Sequence, residues 1–207
     1  MQEMQNHSGS VKDRSVIAVN YKKAALYFGV LLLVILLDQI TKYLIVQNFE
    51  LGESKPLIEG VLHFTYILNR GAAFGMLADQ RWIFLILSTV AVIAIMAYTI
   101  LRSQKIGYLW GISLSMVAGG GAGNMIDRVW NGEVFGAGAV VDFIDFCAFP
   151  EIWSWIFNVA DAAVCVGAAM IFLAVILDEV KLAKEEKAQK AAEAAANASA
   201  NGEESHD

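Results

Sequence analysis

The chain has 207 residues, 57% of them hydrophobic, with a formal net charge of −6. A soluble domain of this length cannot bury so much apolar surface, because a large share of its residues must face water. The composition therefore argues against an ordinary soluble domain and predicts an integral membrane protein, with lipid as the solvent for the excess apolar surface.

The first apolar segment follows a polar N-terminal tail and a pair of lysines. It covers residues 24–46, about 34 Å as a helix, which is enough to span a hydrocarbon core of ~30 Å. Because no small-x-small cleavage site follows, we predict a retained transmembrane helix and not a cleaved signal peptide. Asp38 and Lys42 lie near its far end and share a face, since they are four residues apart.

Residues 47–81 differ in character from the apolar segments. In V-L-H-F-T-Y-I-L, residues 61–68, apolar side chains recur at every second position, which predicts a strand. The stretch N-R-G-A-A-F-G, residues 69–75, is rich in small residues and typical of a turn. The region is too short for a soluble domain, and we predict a small sheet lying on the membrane surface.

Three more apolar segments follow. Residues 82–101 and 106–126 contain no charge. The second half of the latter contains A-G-G-G-A-G, a composition that lets membrane helices pack closely. Residues 152–177 contain one charge, Asp161. The predicted fold is an all-α integral membrane protein, a bundle of four transmembrane helices with a small extracytoplasmic β-sheet.

The basic residues predict the orientation of these helices. Ten of the 15 lysines and arginines fall in segments on one side of the predicted membrane, and such residues concentrate on the cytoplasmic side. We therefore expect a multi-pass protein with both termini in the cytoplasm. In chain order, the predicted segments are cytoplasmic tail 1–23, helix 24–46, extracytoplasmic β segment 47–81, helix 82–101, cytoplasmic loop 102–105, helix 106–126, extracytoplasmic loop 127–151, helix 152–177 and cytoplasmic tail 178–207.

Four acids map to the outer half of the predicted bundle: Asp38, Asp127, Asp142 and Asp161. Acids within or at the edge of a membrane span are costly, so their gathering at one depth indicates a function. Two carboxyl groups held close together in a poorly solvated site cannot both ionise easily. One then keeps a proton, and the pair can activate water as base and acid. The spacing alone does not name the reaction.

Structural alternatives exist for some of these acids. Asp127 precedes Arg128, and an ion pair between them is an alternative to catalysis. Asp38 and Lys42 form either a helix-end pair or a contact with a lipid headgroup. Asp161 is the hardest to explain structurally, because no basic residue lies within a helical turn or two of it.

Two asparagines precede two of the acids by three residues. Asn124 with Asp127, and Asn158 with Asp161, both follow the pattern N-x-x-D. This spacing places the amide one turn before the acid on the same helix face. Such an asparagine can hydrogen-bond a carboxylate or hold a substrate backbone.

The chain lacks the motifs of several common metal and nucleotide sites. The three histidines and two cysteines follow no metal-ligand spacing, and the chain contains no zinc-protease, serine-hydrolase or phosphate-loop motif. These absences argue against a metalloprotease, a serine hydrolase and a nucleotide-driven pump.

Five short motifs, in this order, resemble those of a known family. They are L-D-Q-I-T-K (37–42), N-R-G-A-A-F (69–74), G-G-A-G-N-M-I-D-R (120–128), V-V-D-F (140–143) and F-N-V-A-D (157–161). The chain resembles lipoprotein signal peptidase, or signal peptidase II, of bacterial inner membranes, from about Leu36 to Gly167. Several such boxes in order on four predicted spans are a specific signal.

The resemblance implies an aspartyl endopeptidase that cuts the signal peptide from prolipoproteins just before a cysteine carrying diacylglycerol. It implies Asp142 and Asp161 as the catalytic pair, without metal or cofactor. Its expected partners are lipid-modified prolipoproteins and membrane lipid, with no nucleic acid, and we expect a monomer with its active site near the outer face of the inner membrane. The supporting positions implied around substrate and catalytic pair are Asp38, Lys42, Asn69, Gly71, Asn124, Asp127, Arg128, Asn158 and Ala160.

One departure from the family pattern bears on this assignment. Between Asp127 and Val140 the chain is several residues longer than the pattern leads us to expect, and residues 129–139 are rich in glycine. If this insertion loops out, V-V-D-F keeps its register and Asp142 faces Asp161. If it does not, Asp127 takes that place.

Two other functions compete with the peptidase. A small proton- or cation-coupled transporter would also use intramembrane acids. Here, however, the acids lie at one depth instead of along a path across the bilayer, and the chain has no inverted repeat. A purely structural membrane subunit gives no account of the clustered asparagines and aspartates.

Overall fold

The structure is a computed structural model and describes residues 18–70, 81–131, 138–153 and 155–203. Within these ranges the chain forms a bundle of helices and one antiparallel sheet in the order β1-β2-β3-β4. The helices are α1 (Tyr21–Asn48), α2 (Arg81–Leu101), α3 (Tyr108–Trp130) and α4 (Val159–Glu203). The strands are β1 (Ser54–Ile58), β2 (Leu62–Asn69), β3 (Val140–Phe146) and β4 (Ile156–Phe157).

Helix α3 packs against each of the other three helices. The glycines of its A-G-G-G-A-G stretch explain how it does so, because they leave room for neighbouring backbones. Gly120 lies against the carbonyl oxygen of Ala160 in α4, and Gly123 lies against the carboxylate of Asp38 in α1. The prediction that this stretch serves close helix packing agrees with these contacts. The packing also brings the C-terminal ends of α1 and α3 together with the N-terminal end of α4.

Replacing Gly120 with alanine is expected to destabilise the bundle, because the added methyl group would overlap the carbonyl oxygen of Ala160. Overpacking of this kind costs about 1–3 kcal/mol. Gly121→Ala is the matched control, since its methyl group would meet Val92 at an ordinary 3.5 Å. Thermal unfolding in detergent should show a lower Tm for Gly120→Ala alone, and equal Tm values for the two variants would contradict the packing.

Two helices are long and apolar enough to cross a membrane, judged by length and composition. They are Tyr21–Asn48 and the portion Val159–Ala194 of α4, and a shorter apolar stretch covers Leu85–Leu101 in α2. On α1, large apolar side chains such as those of Leu33 and Leu36 are more than half exposed. In water such a surface would be unfavourable, and lipid is the solvent that suits it.

The sheet packs against the bundle through an apolar cluster at the end of α1. Ile45, Val141 and Phe143 are buried together, and Phe64 of β2 packs edge-on against Phe143 with ring centroids 5.9 Å apart. In the pairing of β2 with β3, Ile67 lies opposite Asp142 and Asn69 lies opposite Val140. This register brings the end of β2 beside Asp142. The predicted small sheet is confirmed, with β2 covering almost all of the predicted strand 61–68.

The boundaries of two predicted segments are corrected by the structure. Residues 127–151, predicted as a loop, contain the end of α3 and the whole of β3. Four successive residues of β3, from Val140 to Phe143, are all buried, so the strand lacks the alternation that would have revealed it. The fourth helix begins at Val159 and not at Ile152, because residues 156–157 pair with β3 as β4.

Candidate active site

Asp142 lies on β3 with only 1% of its surface exposed. One carboxylate oxygen, Oδ2, accepts a hydrogen bond of 2.9 Å from Asn69 Nδ2, and Oδ1 accepts one of 2.6 Å from Asn158 Nδ2. Burial raises the pKa of Asp142 from 3.8 to about 6, and the negative charge of Asp161 acts in the same direction. The two amide hydrogen bonds and Lys42 oppose this rise. The protonated form of Asp142 is therefore accessible near neutral pH.

Asp161 lies in the first turn of α4 and is partly exposed. Its Oδ2 accepts a hydrogen bond of 3.2 Å from the Asn158 N–H, and Asn158 Oδ1 accepts one of 2.9 Å from the Asp161 N–H. This reciprocal arrangement is the geometry of a capping box. Asn124 Nδ2 donates a third hydrogen bond, of 2.7 Å, to Asp161 Oδ1. A carboxylate in this position is further stabilised by the positive end of the helix dipole.

Asn158 connects the two acids and is fully buried. Its amide nitrogen lies 2.6 Å from Asp142 Oδ1, while its carbonyl oxygen and backbone bind Asp161. The same amide nitrogen lies 2.9 Å from Asn124 Oδ1. Asp142 and Asp161, called the dyad below, are therefore held by one shared side chain.

A buried ionic group lies beside the dyad and is called the Lys42 cluster: Asp38, Lys42 and Asp127. The ammonium Nζ of Lys42 lies 2.8 Å from Asp38 Oδ2 and 3.0 Å from Asp127 Oδ2, and at most 4% of any of the three side chains is exposed. Lys42 also donates a hydrogen bond of 2.9 Å to Asn124 Oδ1. Because Asn124 in turn donates to Asp161, the cluster and the dyad share one hydrogen-bond network.

The two acids of the Lys42 cluster connect different elements of the fold. Asp38 Oδ1 accepts a hydrogen bond of 2.9 Å from the Ala160 N–H, which fixes α1 to the first turn of α4. Asp127 Oδ2 accepts one of 3.0 Å from the Val141 N–H, which fixes α3 to β3 directly before Asp142. Gln39 lies between the acids, with its Nε2 2.9 Å from Asp127 Oδ1 and 3.1 Å from Asp38 Oδ2. The cluster thus positions the elements that carry the dyad.

The structure gives Asn124 and Asp127 partners on other elements. Asn124 donates to Asp161 on the neighbouring helix, because α3 and α4 pack closely enough for the amide to reach across. Asp127 forms an ion pair with Lys42 of α1. Arg128 donates a hydrogen bond of 3.2 Å to the Asn124 carbonyl and lies within the electrostatic reach of Asp127 and the dyad.

Eight of the nine supporting residues implied by the motifs fall within the described ranges, and the structure brings them to the same end of the bundle as the dyad. Gly71 lies outside the described residues. Gln39 is a site residue that was not singled out from the sequence, although it stands inside the L-D-Q-I-T-K motif. Its position next to Asp38 in that motif is the signal that could have identified it. In the described part of the chain, no three His, Cys, Asp or Glu side chains gather as a metal site.

Comparison with known proteins places this arrangement in a family. The family model described as signal peptidase (SPase) II matches residues 30–177, most of the chain and all five motifs. The chain belongs to the signal peptidase II family. The resemblance drawn from the motifs is confirmed, and membership makes the chain a peptidase.

Relatives and solved structures of membrane enzymes agree with the family assignment. The chain is 44% identical over 163 residues to a lipoprotein signal peptidase of Halalkalibacterium halodurans, covering 79% of this chain and 99% of that protein. It is 44% identical over 153 residues to one of Anoxybacillus flavithermus, covering 74% of this chain and 86% of the other. A bacterial membrane enzyme structure obtained by the in meso method at 2.3 Å resolution matches with a TM-score of 0.64 and 30% identity, over 75% of this chain and 90% of that one.

Proposed function

We propose that this chain is a membrane aspartyl endopeptidase that removes signal peptides from prolipoproteins, cutting before the diacylglyceryl-modified cysteine, with Asp142 and Asp161 as its catalytic pair. The observation that carries the proposal is the position of Asn158 between the two carboxyl groups in a chain of the signal peptidase II family. The competing transporter function has no support, since none of the proteins matched above is described as a transporter.

The proposed mechanism follows from the unequal surroundings of the two acids. Asp142 is buried and holds a proton more readily, whereas Asp161 is partly exposed and its charge is stabilised by the start of α4. Ionised Asp161 deprotonates a water molecule that attacks the scissile carbonyl, while protonated Asp142 donates its proton to the carbonyl oxygen. As the C–N bond breaks, Asp161 gives the proton it took from water to the leaving amine, and ionised Asp142 takes a proton from a hydroxyl of the tetrahedral intermediate, which restores both acids.

The remaining residues have positioning roles in this proposal. Asn69, Asn124 and Asn158 orient the carboxyl groups through the hydrogen bonds described above. The Lys42 cluster holds α1, α3, α4 and β3 in fixed positions relative to one another. Arg128 contributes positive charge beside the dyad, where the carbonyl oxygen gains partial negative charge in the transition state. Gly71 and Ala160 complete the set implied by the family motifs.

We further propose four membrane-spanning helices, with both termini in the cytoplasm and the dyad near the outer face of the bacterial inner membrane. The excess of lysine and arginine in the tails and in the turn between α2 and α3 supports this orientation. Because the sheet and the dyad lie at the other end of the bundle, they would meet substrates arriving from outside. The proposed enzyme is a monomer whose partners are lipid-modified prolipoproteins and membrane lipid.

A cleavage assay on a lipid-modified prolipoprotein tests the function directly. We expect the purified full-length chain to release a signal peptide and leave the modified cysteine at the new N-terminus, as read by mass spectrometry. The same prolipoprotein without its diacylglycerol group is the matched control and should be cut far more slowly. Proton flux into liposomes abolished by Asp161→Asn, in a protein that cuts neither substrate, would favour the transporter instead.

The pH dependence of cleavage should report the proton on Asp142. Because the mechanism needs this group protonated, kcat/KM is expected to fall as pH rises through about 6, approaching tenfold per pH unit on the alkaline side. The hydrogen bond from Asn69 lowers the pKa of Asp142, so Asn69→Ala should move this alkaline limb to higher pH. The measurement is a pH profile of kcat/KM in detergent for wild type and variant.

Thr65→Val is the control for this pH experiment. Thr65 lies on the same strand as Asn69 but donates its hydrogen bond to Asp145, not to Asp142. Its substitution should leave the alkaline limb where it is in the wild type. A limb that Asn69→Ala does not move, or that both variants move equally, would show that the proton on Asp142 does not govern the profile.

A further inference from the structure

A cleft lies at the end of the bundle opposite the dyad and is called the basic cleft. It has a volume of about 690 Å³ and lies between the end of α2, the turn at residues 102–107, the start of α3 and the middle of α4. Its polar lining includes Arg102, Lys105, Gly107, Trp110, Asp178 and Lys181. Fourteen residues of α3 separate Trp110 from Asn124 at the dyad, about 21 Å along the helix.

The turn that forms one wall of the basic cleft is held in place by α1. Ser103 is fully buried and accepts a hydrogen bond of 2.9 Å from the Asn20 N–H. Lys23 Nζ donates one of 2.8 Å to the Ile106 carbonyl, and Tyr27 donates one of 3.2 Å to the Gly107 carbonyl. The backbone between Arg102 and α3 is therefore fixed before any ligand arrives.

The charges around the basic cleft do not cancel. Neither Arg102 nor Lys105 forms a salt bridge with any residue that the structure describes. The one acid of the lining, Asp178, accepts a hydrogen bond of 2.8 Å from Trp110 Nε1. Among the described residues, Lys181 forms a salt bridge with the exposed Glu185, at 3.8 Å, and a pair of this kind is weak in water. Among the described lining residues, three cations thus face one carboxylate, with Glu185 beside Lys181 outside the lining.

Two further features add to this positive field. Gly107 is the N-cap of α3 and has no side chain to accept a hydrogen bond from the first turn, so the positive end of a 23-residue helix opens at the cleft. Tyr98, Ile106 and Trp110 add aromatic and apolar surface to the lining of the cleft, and Tyr98 is half exposed. Tyrosine and tryptophan rings of this kind favour the depth of lipid headgroups.

We propose that the basic cleft binds the headgroup of an anionic phospholipid. Its cations and helix N-terminus match a phosphate group, and the apolar and aromatic side chains beside it match the attached glycerol and acyl chains. A free phosphate would leave those apolar contacts unused. This proposal concerns the end of the bundle away from the dyad and is separate from peptide cleavage.

Lipid binding to the full-length protein in detergent provides the test, measured by native mass spectrometry with added phosphatidylglycerol or phosphatidylcholine. We expect phosphatidylglycerol to bind more tightly than phosphatidylcholine. The triple variant Arg102→Gln/Lys105→Gln/Lys181→Gln should weaken binding of phosphatidylglycerol on the order of a hundredfold. Its binding of phosphatidylcholine should remain the same.

The matched control is Lys184→Gln/Lys187→Gln/Lys190→Gln, which removes the same charge further along α4. It should change phosphatidylglycerol binding by less than about threefold, since solvated charges contribute little at a distance. Equal weakening by both triple variants would overturn the proposal in favour of general surface attraction. Inorganic phosphate that displaces the lipid at equal concentration would overturn it in favour of a free-anion site.

Two more measurements distinguish a loss of lipid binding from a loss of folding. Signal-peptide cleavage in phosphatidylcholine shows that the triple variant is folded, so that its loss of lipid binding can be attributed to the cleft. If the triple variant does not fold, its three component single substitutions replace it, and each should weaken binding severalfold. Arg102→Lys keeps the charge and should keep binding. Single variants that all bind like the wild type would overturn the proposal.

Discussion

Replacing either Asp142 or Asp161 with asparagine is expected to reduce signal-peptide cleavage by about a thousandfold or more while leaving the protein folded. Each variant removes a group that must hold or accept a proton, and general acid–base catalysis by one such group contributes about 10²–10⁴-fold. Asparagine has nearly the same shape as aspartate. Cleavage of a lipid-modified prolipoprotein measures the loss, and Tm in detergent shows that the fold persists.

Asp127→Asn is the comparison that decides which acid pairs with Asp161. In the structure Asp127 binds Lys42, Gln39 and the Val141 N–H, so this variant should lower Tm and reduce cleavage less than Asp142→Asn does. Abolished cleavage in Asp127→Asn together with normal cleavage in Asp142→Asn would assign the dyad to Asp127 and Asp161. Undiminished cleavage in both Asp142→Asn and Asp161→Asn would refute the proposed peptidase mechanism.

The largest expected loss of stability comes from Lys42→Met. This change leaves the carboxylates of Asp38 and Asp127 buried without the cation that lies within 3.0 Å of both. Removing one partner from a buried ionic group costs about 3–5 kcal/mol, because the remaining charge is left uncompensated. We expect a strongly lowered Tm in detergent and, since the Lys42 cluster positions β3 and α4, little remaining cleavage.

Further variants can show whether Lys42→Met loses stability through uncompensated charge or through a general loss of packing. Adding Asp38→Asn and Asp127→Asn to Lys42→Met removes the uncompensated charges and should recover much of the lost stability. Lys55→Met is the matched surface control, because Lys55 pairs with Glu53 at 2.9 Å while half of its side chain is exposed. Such a surface pair contributes about 0–1 kcal/mol. A triple variant no more stable than Lys42→Met would contradict the electrostatic explanation.

Local patterns in the sequence predicted much of the architecture. The apolar runs indicated the helices, the glycines of α3 indicated close packing, and alternation at residues 61–68 indicated β2. The spacing of Asn158 and Asp161 correctly indicated that the two side chains lie close together, and in the structure they form a reciprocal cap at the start of α4. These features depend on neighbours within four residues, so the sequence carries them directly.

Contacts between distant parts of the chain could not be predicted from local sequence patterns. Asn69 and Asp142 are 73 positions apart, and their hydrogen bond depends on the register of β2 with β3. Asn124 donates across the α3–α4 interface to an acid 37 positions away, which no spacing within α3 reveals. Only the resemblance to signal peptidase II selected Asp142 as the proposed partner of Asp161.

The distribution of the site along the chain has a consequence for biogenesis. A nascent chain emerges from the ribosome N-terminus first, so Asp38 and Lys42 enter the membrane long before Asn158 and Asp161. Asp38 then lacks the Ala160 N–H that it binds in the finished protein. In the proposed mechanism, hydrolytic competence arises only when the last helix docks and supplies Asp161. Chains that stall or are truncated before residue 158 would then carry Asp38, Asp127 and Asp142 but would be inert as proteases.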